Sequence, residues 1–366
     1  MTSVPATTPE PVPSITQMVI GVDTHKDIHV AVALTTTGAT IDHLEFATTS
    51  QGIATAIAWA QQLGTITAWG VEGTGSYGAG LARALTITGY HVIEVNHANR
   101  AARHIRGGKT DRIDAEAAAR SVLANYATAT PKTADGPVEL LRIIRTARSS
   151  AVKARTATIN QLRAILITTP PILRDQLSGL GKAALIKHCA RMRLNGDAVI
   201  AGIKRILRSL ARRYQHLTTE INDHTRDLHA LIQQTAPELL AQHGVGPDTA
   251  AALLIAVGDN PARIHSEAAF AALCGTNPIP ASSGQTHRYR LNRNGDRQAN
   301  AALHRIIIVR LGRHAETRTY MTNRVNTNNS NKLHIIRCLK RALARRLYPL
   351  IINALQQHHQ PTQNAA

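Results

Sequence analysis

The sequence predicts a mixed α/β unit at its N-terminal end, a central pair of long helices, and a mainly α C-terminal region. Three observations predict this order. Between Met18 and Val95, short apolar runs alternate with helix-forming stretches. Between Val138 and Leu231, two long cationic stretches carry helical character. Beyond Leu239, helical stretches recur between glycine and proline breaks.

Met18 to Val22 is almost wholly apolar, as a buried central strand is, and Asp23 ends it. Ile28 to Leu34 and Thr40 to Ala47 read as the second and third strands, joined by short turns into an antiparallel meander. Gln51 to Leu63 reads as a helix, and Ile66 to Val71 as a strand that Glu72 ends. Tyr77 to Thr88 reads as a helix, Tyr90 to Val95 as a fifth strand, and Ala98 to Ile105 as a further helix. Three strands, helix, strand, helix, strand, helix is the order of a ribonuclease H-like fold. The crossover sets strand four parallel to strand one. Active groups in such open sheets gather outside the carboxyl ends of the strands. Asp23 and Glu72 both stand at such ends.

Gly107 and Gly108 then break the chain, and Asp111 and Asp114 open an alanine-rich helix. Three residues apart, their carboxylates share a face and repel one another. Acids at a helix start often act only as caps and dipole partners. Here four acids from two strand ends and one helix start would converge on one sheet edge, which argues for magnesium. That ion prefers oxygen ligands and is often held by one or two carboxylates.

Lys plus Arg number 42 against 23 for Asp plus Glu, a formal net charge of +19. Such an excess implies a polyanionic partner, nucleic acid or an anionic membrane surface. No apolar run reaches the length of a membrane span. Residues 1–17 are rich in Pro, Thr and Ser, lack an apolar signal core, and read as a disordered leader. Cys189, Cys274 and Cys338 show neither zinc spacing nor a disulfide framework, which fits a reducing cytoplasm. Aromatics make up 3% of the chain, which disfavours single-strand binding by stacking and favours arginine contacts to phosphate.

The central region, 137–236, begins with a helix from Val138 to about Ile167 that Pro170 and Pro171 stop. In the second helix Ile200, Ile203, Leu207, Leu210, Tyr214, Leu217, Ile221, His224, Leu228 and Leu231 step by three and four, the heptad of a coiled coil. A hairpin within one chain and a stalk between two chains both satisfy that pattern. The C-terminal region, 237–350, opens with a break at Gly244-Val245-Gly246 like a helix-hairpin-helix loop, whose amides bind phosphate without reading sequence. Residues 351–366 read as a polar, frayed tail.

Ser266 to Cys274 reads as a helix, followed by a loop holding Ser282, Ser283 and Gly284. Arg288, Arg290, Arg293 and Arg297 follow directly. A serine that attacks phosphorus must lose its proton and needs charge stabilised on the phosphoryl oxygens. Guanidinium groups supply the second, and His287 or a metal-bound hydroxide the first. The plainer reading makes these ordinary loop serines beside arginines that only hold nucleic acid. Asp296 to Val309 and Lys332 to Leu347 read as two further helices.

Five segments together resemble one known family. They are D-T-H-K (Asp23 to Lys26), V-E-G-T-G-S-Y-G around Glu72, and G-K-T-D-R-I-D-A (Gly108 to Ala115). Further on come C-G-T-N-P-I-P-A-S-S-G from Cys274 and N-G-D-R-Q-A-N-A-A-L from Asn294. In this order they are similar to the DEDD insertion-sequence transposases of the IS-one-ten family, over about Met18 to Leu350. The resemblance implies a RuvC-like nuclease domain at 18–130 in which Asp23, Glu72, Asp111 and Asp114 bind Mg2+. It implies a second domain whose nucleophilic serine joins covalently to a DNA 5′ phosphate. Ser283, next to Gly284, matches the motif; where the family more often has a basic or polar residue before Ser-Gly, this chain has Ser282. Lys26, Lys109 and Arg112 beside the acids, with Arg288, Arg290, Arg293 and Arg297, are the residues expected to hold nucleic acid. Family members recombine double-stranded element and target DNA, guided by a structured RNA from the element. They assemble as homodimers or homotetramers, and their sites combine both domains.

Three rivals make different demands. A RuvC-like metal-dependent nuclease without a covalent intermediate needs the acids but not the serine. A tyrosine nucleophile would use Tyr320 or Tyr348, without the Arg/His set such enzymes carry. A non-enzymatic nucleic-acid binder would not need all four acids.

Overall fold

The computed structural model describes residues 17–96, 110–284, 286, 288–328 and 331–359. The leader through residue 16, the helix expected over 98–105, Gly107, Gly108, Lys109, His287 and residues 360–366 lie outside them. The chain divides into two compact units, Met1–Ala134 and Asp135–Ala366.

The first unit is built on a five-stranded mixed sheet of order β3-β2-β1-β4-β5. The strands are β1 (Gln17–Thr24), β2 (Ile28–Thr35), β3 (Thr40–Ala47), β4 (Thr65–Glu72) and β5 (Val92–Val95). β1, β2 and β3 form the antiparallel meander, and β4 runs parallel to both β1 and β5. The helices are α1 (Ser50–Leu63), α2 (Ala79–Ile87) and α3 (Asp111–Leu123). α2 starts later than the sequence implies, because hydrogen-bonded turns occupy the stretch from Gly73 to Gly78.

Alternation along the strands sorts the core into two layers. Met18, Ile20, Val22, Trp69 and Val71 face one way, with Ile53, Ala56 and Ala60 of α1 and Leu81 and Leu85 of α2. Val19, Val32 and Ala68 face the other way, with Ala115, Ala118, Ala119 and Val122 of α3. Gly21 and Gly70 fall on this second face. A Cβ on Gly21 would lie 2.1 Å from the Ala115 carbonyl oxygen, and one on Gly70 2.6 Å from Cγ2 of Val122. Bare backbone under small side chains therefore seats α3 unusually close to the sheet.

The second unit is helical. α4 (Pro137–Thr168) and α7 (Ala198–Thr235) pack along each other, with α5 (Pro171–Leu177) and α6 (Lys182–Ala190) between them in sequence. Arg148 Nε donates to Thr225 Oγ1 at 2.8 Å, and Arg155 Nη1 to Thr218 Oγ1 at 3.5 Å, so the two long helices are antiparallel. The expected apolar stripe is buried at Leu207, Ile221 and Leu228, with Ala211 and Ile232 added. At one end Val138, Leu141, Leu228 and Ile232 join a core with Leu253, Phe270, Ile306 and Leu347. At the other end Leu162, Leu177, Cys189 and Leu207 belong to a separate small core.

The chain continues through α8 (Pro237–Leu240), α9 (Pro247–Val257), α10 (Glu267–Leu273), a hairpin of β6 (Pro278–Pro280) and β7 (Tyr289–Leu291), α11 (Arg297–Arg313), α12 (Ala315–Asn328) and α13 (Lys332–His359). Two findings correct the sequence reading. α12 was not expected, because its sequence is polar on every side. α13 runs on to His359 where a frayed polar tail was expected, because Ile351, Ile352 and Leu355 are buried in the main core. Among the described residues, no helix is long and apolar enough to cross a membrane.

Candidate functional site

The face that carries α3 also carries the acids. Gly21 and Asp23 are two residues apart on β1, as Gly70 and Glu72 are on β4, so both acids belong to the side that α3 covers. The parallel register pairs Val22 with Val71, which sets Asp23 beside Glu72 at the strand ends. The Thr24 hydroxyl donates to the Glu72 carbonyl at 3.0 Å and ties the two ends together. Gly73 then turns the chain away at φ +60°, in the left-handed region that favours glycine.

On α3, Asp111 and Asp114 continue the stripe of Ala115, Ala118 and Ala119 that lies on the sheet. The helix cap is Thr110, whose side chain accepts from the Ile113 amide at 3.3 Å. The two acids are thus not needed as caps, although the positive end of the helix favours them. Asp23, Glu72 and Asp114 are 6%, 2% and 5% exposed, while the Asp111 side chain is 53% exposed. Three buried acids with one open to solvent make a cluster that a substrate can approach from the Asp111 side.

His25 completes the cluster. Its Nε2 lies 3.2 Å from Asp23 Oδ2 and 3.3 Å from Asp111 Oδ1. That nitrogen is enclosed, yet neither carboxylate gives it a well-aligned hydrogen bond. The His25 amide donates to Nδ1 of His29 at 3.3 Å, and buried His29 stands edge-on to Phe46. Burial pushes the Asp23 carboxyl above its ordinary range; His25 pulls it down, and the charges of Asp114 and Asp111 push it up. That mutual influence places Asp111 and Asp114 within electrostatic reach of Asp23.

Asp23, His25 and Asp111 offer ligand atoms within 4.8 Å of one another. An enclosed nitrogen without a hydrogen bond, a carboxyl held above its range by burial and by the charges of Asp114 and Asp111, and oxygen ligands in excess all fit a divalent cation. His25 and His29 were not picked out from the sequence. The signal for His25 was its place two residues after an acid in D-T-H-K. Lys26 and Arg112 are exposed beside the acids.

Ser283 sits at the exposed end of the β6–β7 hairpin. Ser283 and Thr286 exchange backbone hydrogen bonds of 3.2 and 3.1 Å around Gly284, whose φ is +57°. Arg288, Arg290, Arg293 and Arg297 are all exposed, running from just before β7 to the first residue of α11. The hairpin thus displays a hydroxyl with guanidinium groups following it in the chain.

At the break before α9, the Gly246 amide is already taken by Thr249 Oγ1 at 3.0 Å. The helix start carries its own anion, Asp248. Its carboxylate meets Arg145 at 3.2 Å, Arg148 at 3.3 Å and Arg305 at 2.6 Å.

A family model described as a transposase, of the DEDD type, matches residues 20–171. A second model, described as a transposase of the IS116/IS110/IS902 family, matches residues 236–322. The first spans all four acids and the second spans Ser283. No curated protein matches the chain.

Proposed function

The chain belongs to the IS116/IS110/IS902 family of transposases, enzymes that act on DNA, and we propose that it exchanges insertion-sequence strands through a covalent phosphoserine intermediate. The observation that carries this reading is the cluster of Asp23, His25 and Asp111 at the end of β1, and Glu72 at the neighbouring strand end and Asp114 on the same face of α3 are read as belonging to it. Such a set suits phosphoryl transfer, where positioning and charge neutralisation do most of the catalysis. Asp23, Glu72, Asp111 and Asp114 would hold magnesium there, and the ion would supply positive charge to the phosphodiester.

In this reading the Ser283 oxygen attacks phosphorus and its proton passes to a general base. The bond from phosphorus to the 3′ oxygen breaks, and that oxygen leaves as a 3′-hydroxyl. One phosphoester replaces another, so strands can rejoin without ATP. Arg288, Arg290, Arg293 and Arg297 match phosphate geometry and serve to hold the strand. Lys26 and Arg112 do the same beside the acids, and Lys109, two residues before Asp111 in the sequence, is assigned the same role.

The net charge of +19 supports a further element of the proposal, a structured guide RNA held together with element and target DNA in the cytoplasm. The antiparallel α4 and α7 are proposed as a coiled-coil hairpin that brings protomers together. Because Arg155 and Thr218 adjoin, removing the residues between Thr156 and Leu217 and closing with a short turn spares the main core. Loss of self-association in that variant supports the stalk; an unchanged oligomer rejects it.

The decisive experiment incubates the protein with labelled element-end DNA and separates products under denaturing conditions. Wild type and Ser282→Ala form a protein–DNA adduct, and Ser283→Ala does not. Recombination persisting in Ser283→Ala would favour the RuvC-like nuclease without a covalent intermediate.

A further inference from the structure

A cavity of about 550 Å³ opens between the β6–β7 hairpin and α13. Arg290 and Arg293 line one wall, and Arg337 the other. Among the described residues these three arginines have no ion-pair partner. Deeper cations are already engaged. Lys340 donates to Asn300 Oδ1 at 2.6 Å, and Arg341 is paired with Glu267. The open mouth of the cleft therefore carries positive charge with nothing to offset it.

Tyr289 stands in the same cleft, 70% exposed, with half-exposed Leu291 beside it. An aromatic ring left in water next to free guanidinium groups is a platform for a base. The volume lies in the small-ligand range, room for roughly one or two nucleotides and too small to take in a duplex. Composition alone argued against stacking, but the fold places one tyrosine where a single ring suffices.

We propose that this cleft holds one unpaired nucleic-acid strand, with its phosphates on Arg290, Arg293 and Arg337 and a base against Tyr289. The proposal rests on the strand-exchange reading, in which strands are opened and rejoined, and goes beyond it by assigning the unpaired segment a seat. Burial holds the Lys340 ammonium below its ordinary range and the Arg337 charge adds to this, so a phosphate in the cleft would relieve repulsion already present.

Cys338 lines the cleft and reports its occupancy. Burial pushes the Cys189 and Cys274 thiols up to about 11 and about 12, which keeps them unreactive. Iodoacetamide should therefore label Cys338. The test uses the full chain with 12-nucleotide unpaired DNA, unpaired RNA of the same sequence, and a blunt DNA duplex.

At least one unpaired strand should slow Cys338 alkylation, and the arm that protects better identifies the strand as DNA or RNA. Tyr289→Ala should weaken binding of that strand about tenfold, within the range for losing one stacked base. Arg293→Ala and Arg337→Ala should each lower the salt slope of binding by about 0.7. Equal protection by the blunt duplex would overturn the unpaired-strand assignment. An unpaired strand that binds without protecting Cys338, or binds Tyr289→Ala as tightly, would overturn the site.

The Ser283 adduct is read separately on the same preparation. Adduct without protection rejects the cleft alone, and protection without adduct rejects the serine chemistry alone. Tyr289 and Arg293 are exposed, so unchanged melting of their variants excludes misfolding as the cause.

Discussion

Gly21 lies directly beneath Ala115, so close that a Cβ on the glycine would come within 2.1 Å of the alanine carbonyl oxygen. Both atoms that would clash are fixed to backbone, so α3 itself would have to lift. Overpacking of this kind costs about 1–3 kcal/mol. Gly21→Ala should lower the urea midpoint and move Asp111 and Asp114 away from Asp23, weakening stabilisation by Mg2+ or Mn2+. Gly80→Ala, in α2 with nothing within 4 Å, should leave both unchanged or raise stability by up to about 1 kcal/mol.

Asp23 is buried among like charges, so the apo protein carries a charge it would be more stable without. Asp23→Asn should raise the melting temperature in EDTA while abolishing strand transfer. Saturating Mg2+ should raise the wild-type melting temperature, by about 2.7 kcal/mol of stability at a hundred times Kd, and leave the variant where it was. A variant stabilised by Mg2+ as strongly as wild type would remove Asp23 from the metal site. Nucleic-acid binding, measured in EDTA, should survive.

Asp259 accepts from the amides of Val138 at 2.8 Å and Glu139 at 3.2 Å, and so caps α4. Burial pushes its carboxyl up, more than those hydrogen bonds pull it down. Its folded value therefore exceeds its unfolded one. Its contribution to stability is complete below the ordinary aspartate range and is lost as pH rises through the folded value. Asp259→Asn should flatten the pH dependence of the urea midpoint from about pH 4 upward. An unchanged slope would mean that another group sets it.

Asp248 is the shared anion of Arg145, Arg148 and Arg305. Asp248→Ala leaves three guanidinium groups facing one another across α4, α9 and α11. A cost of about 1.5–3 kcal/mol is expected, the range for hydrogen bonds to a charged group. The freed cations should also tighten non-specific DNA binding at low salt and steepen its salt dependence, read by anisotropy.

The five-strand order was legible because apolar runs, their lengths and their closing acids all pointed the same way. Asp23 and Glu72 were legible at strand ends because apolar residues lead directly up to each. Gly21 and Gly70 carried a readable signal that passed unused: glycine inside an apolar strand marks a close approach by another backbone. The position of His25 was not legible, since it depends on how a turn aims one imidazole between Asp23 and Asp111. α12 was missed for a different reason. Its sequence, A-E-T-R-T-Y-M-T-N-R, shows no apolar stripe, and its helicity comes from neighbours and not from a pattern of its own.

α7 is 38 residues long, which at 1.5 Å per residue makes a strut of about 57 Å. Its near end is built into the main core and its far end is stabilised by a separate one, so neither end depends on the span between them. Inserting or removing seven residues in the middle of both partner helices would change the reach by about 10 Å while keeping their seams facing. Distance, in this molecule, is a dimension that can be reset without redesigning what stands at either end.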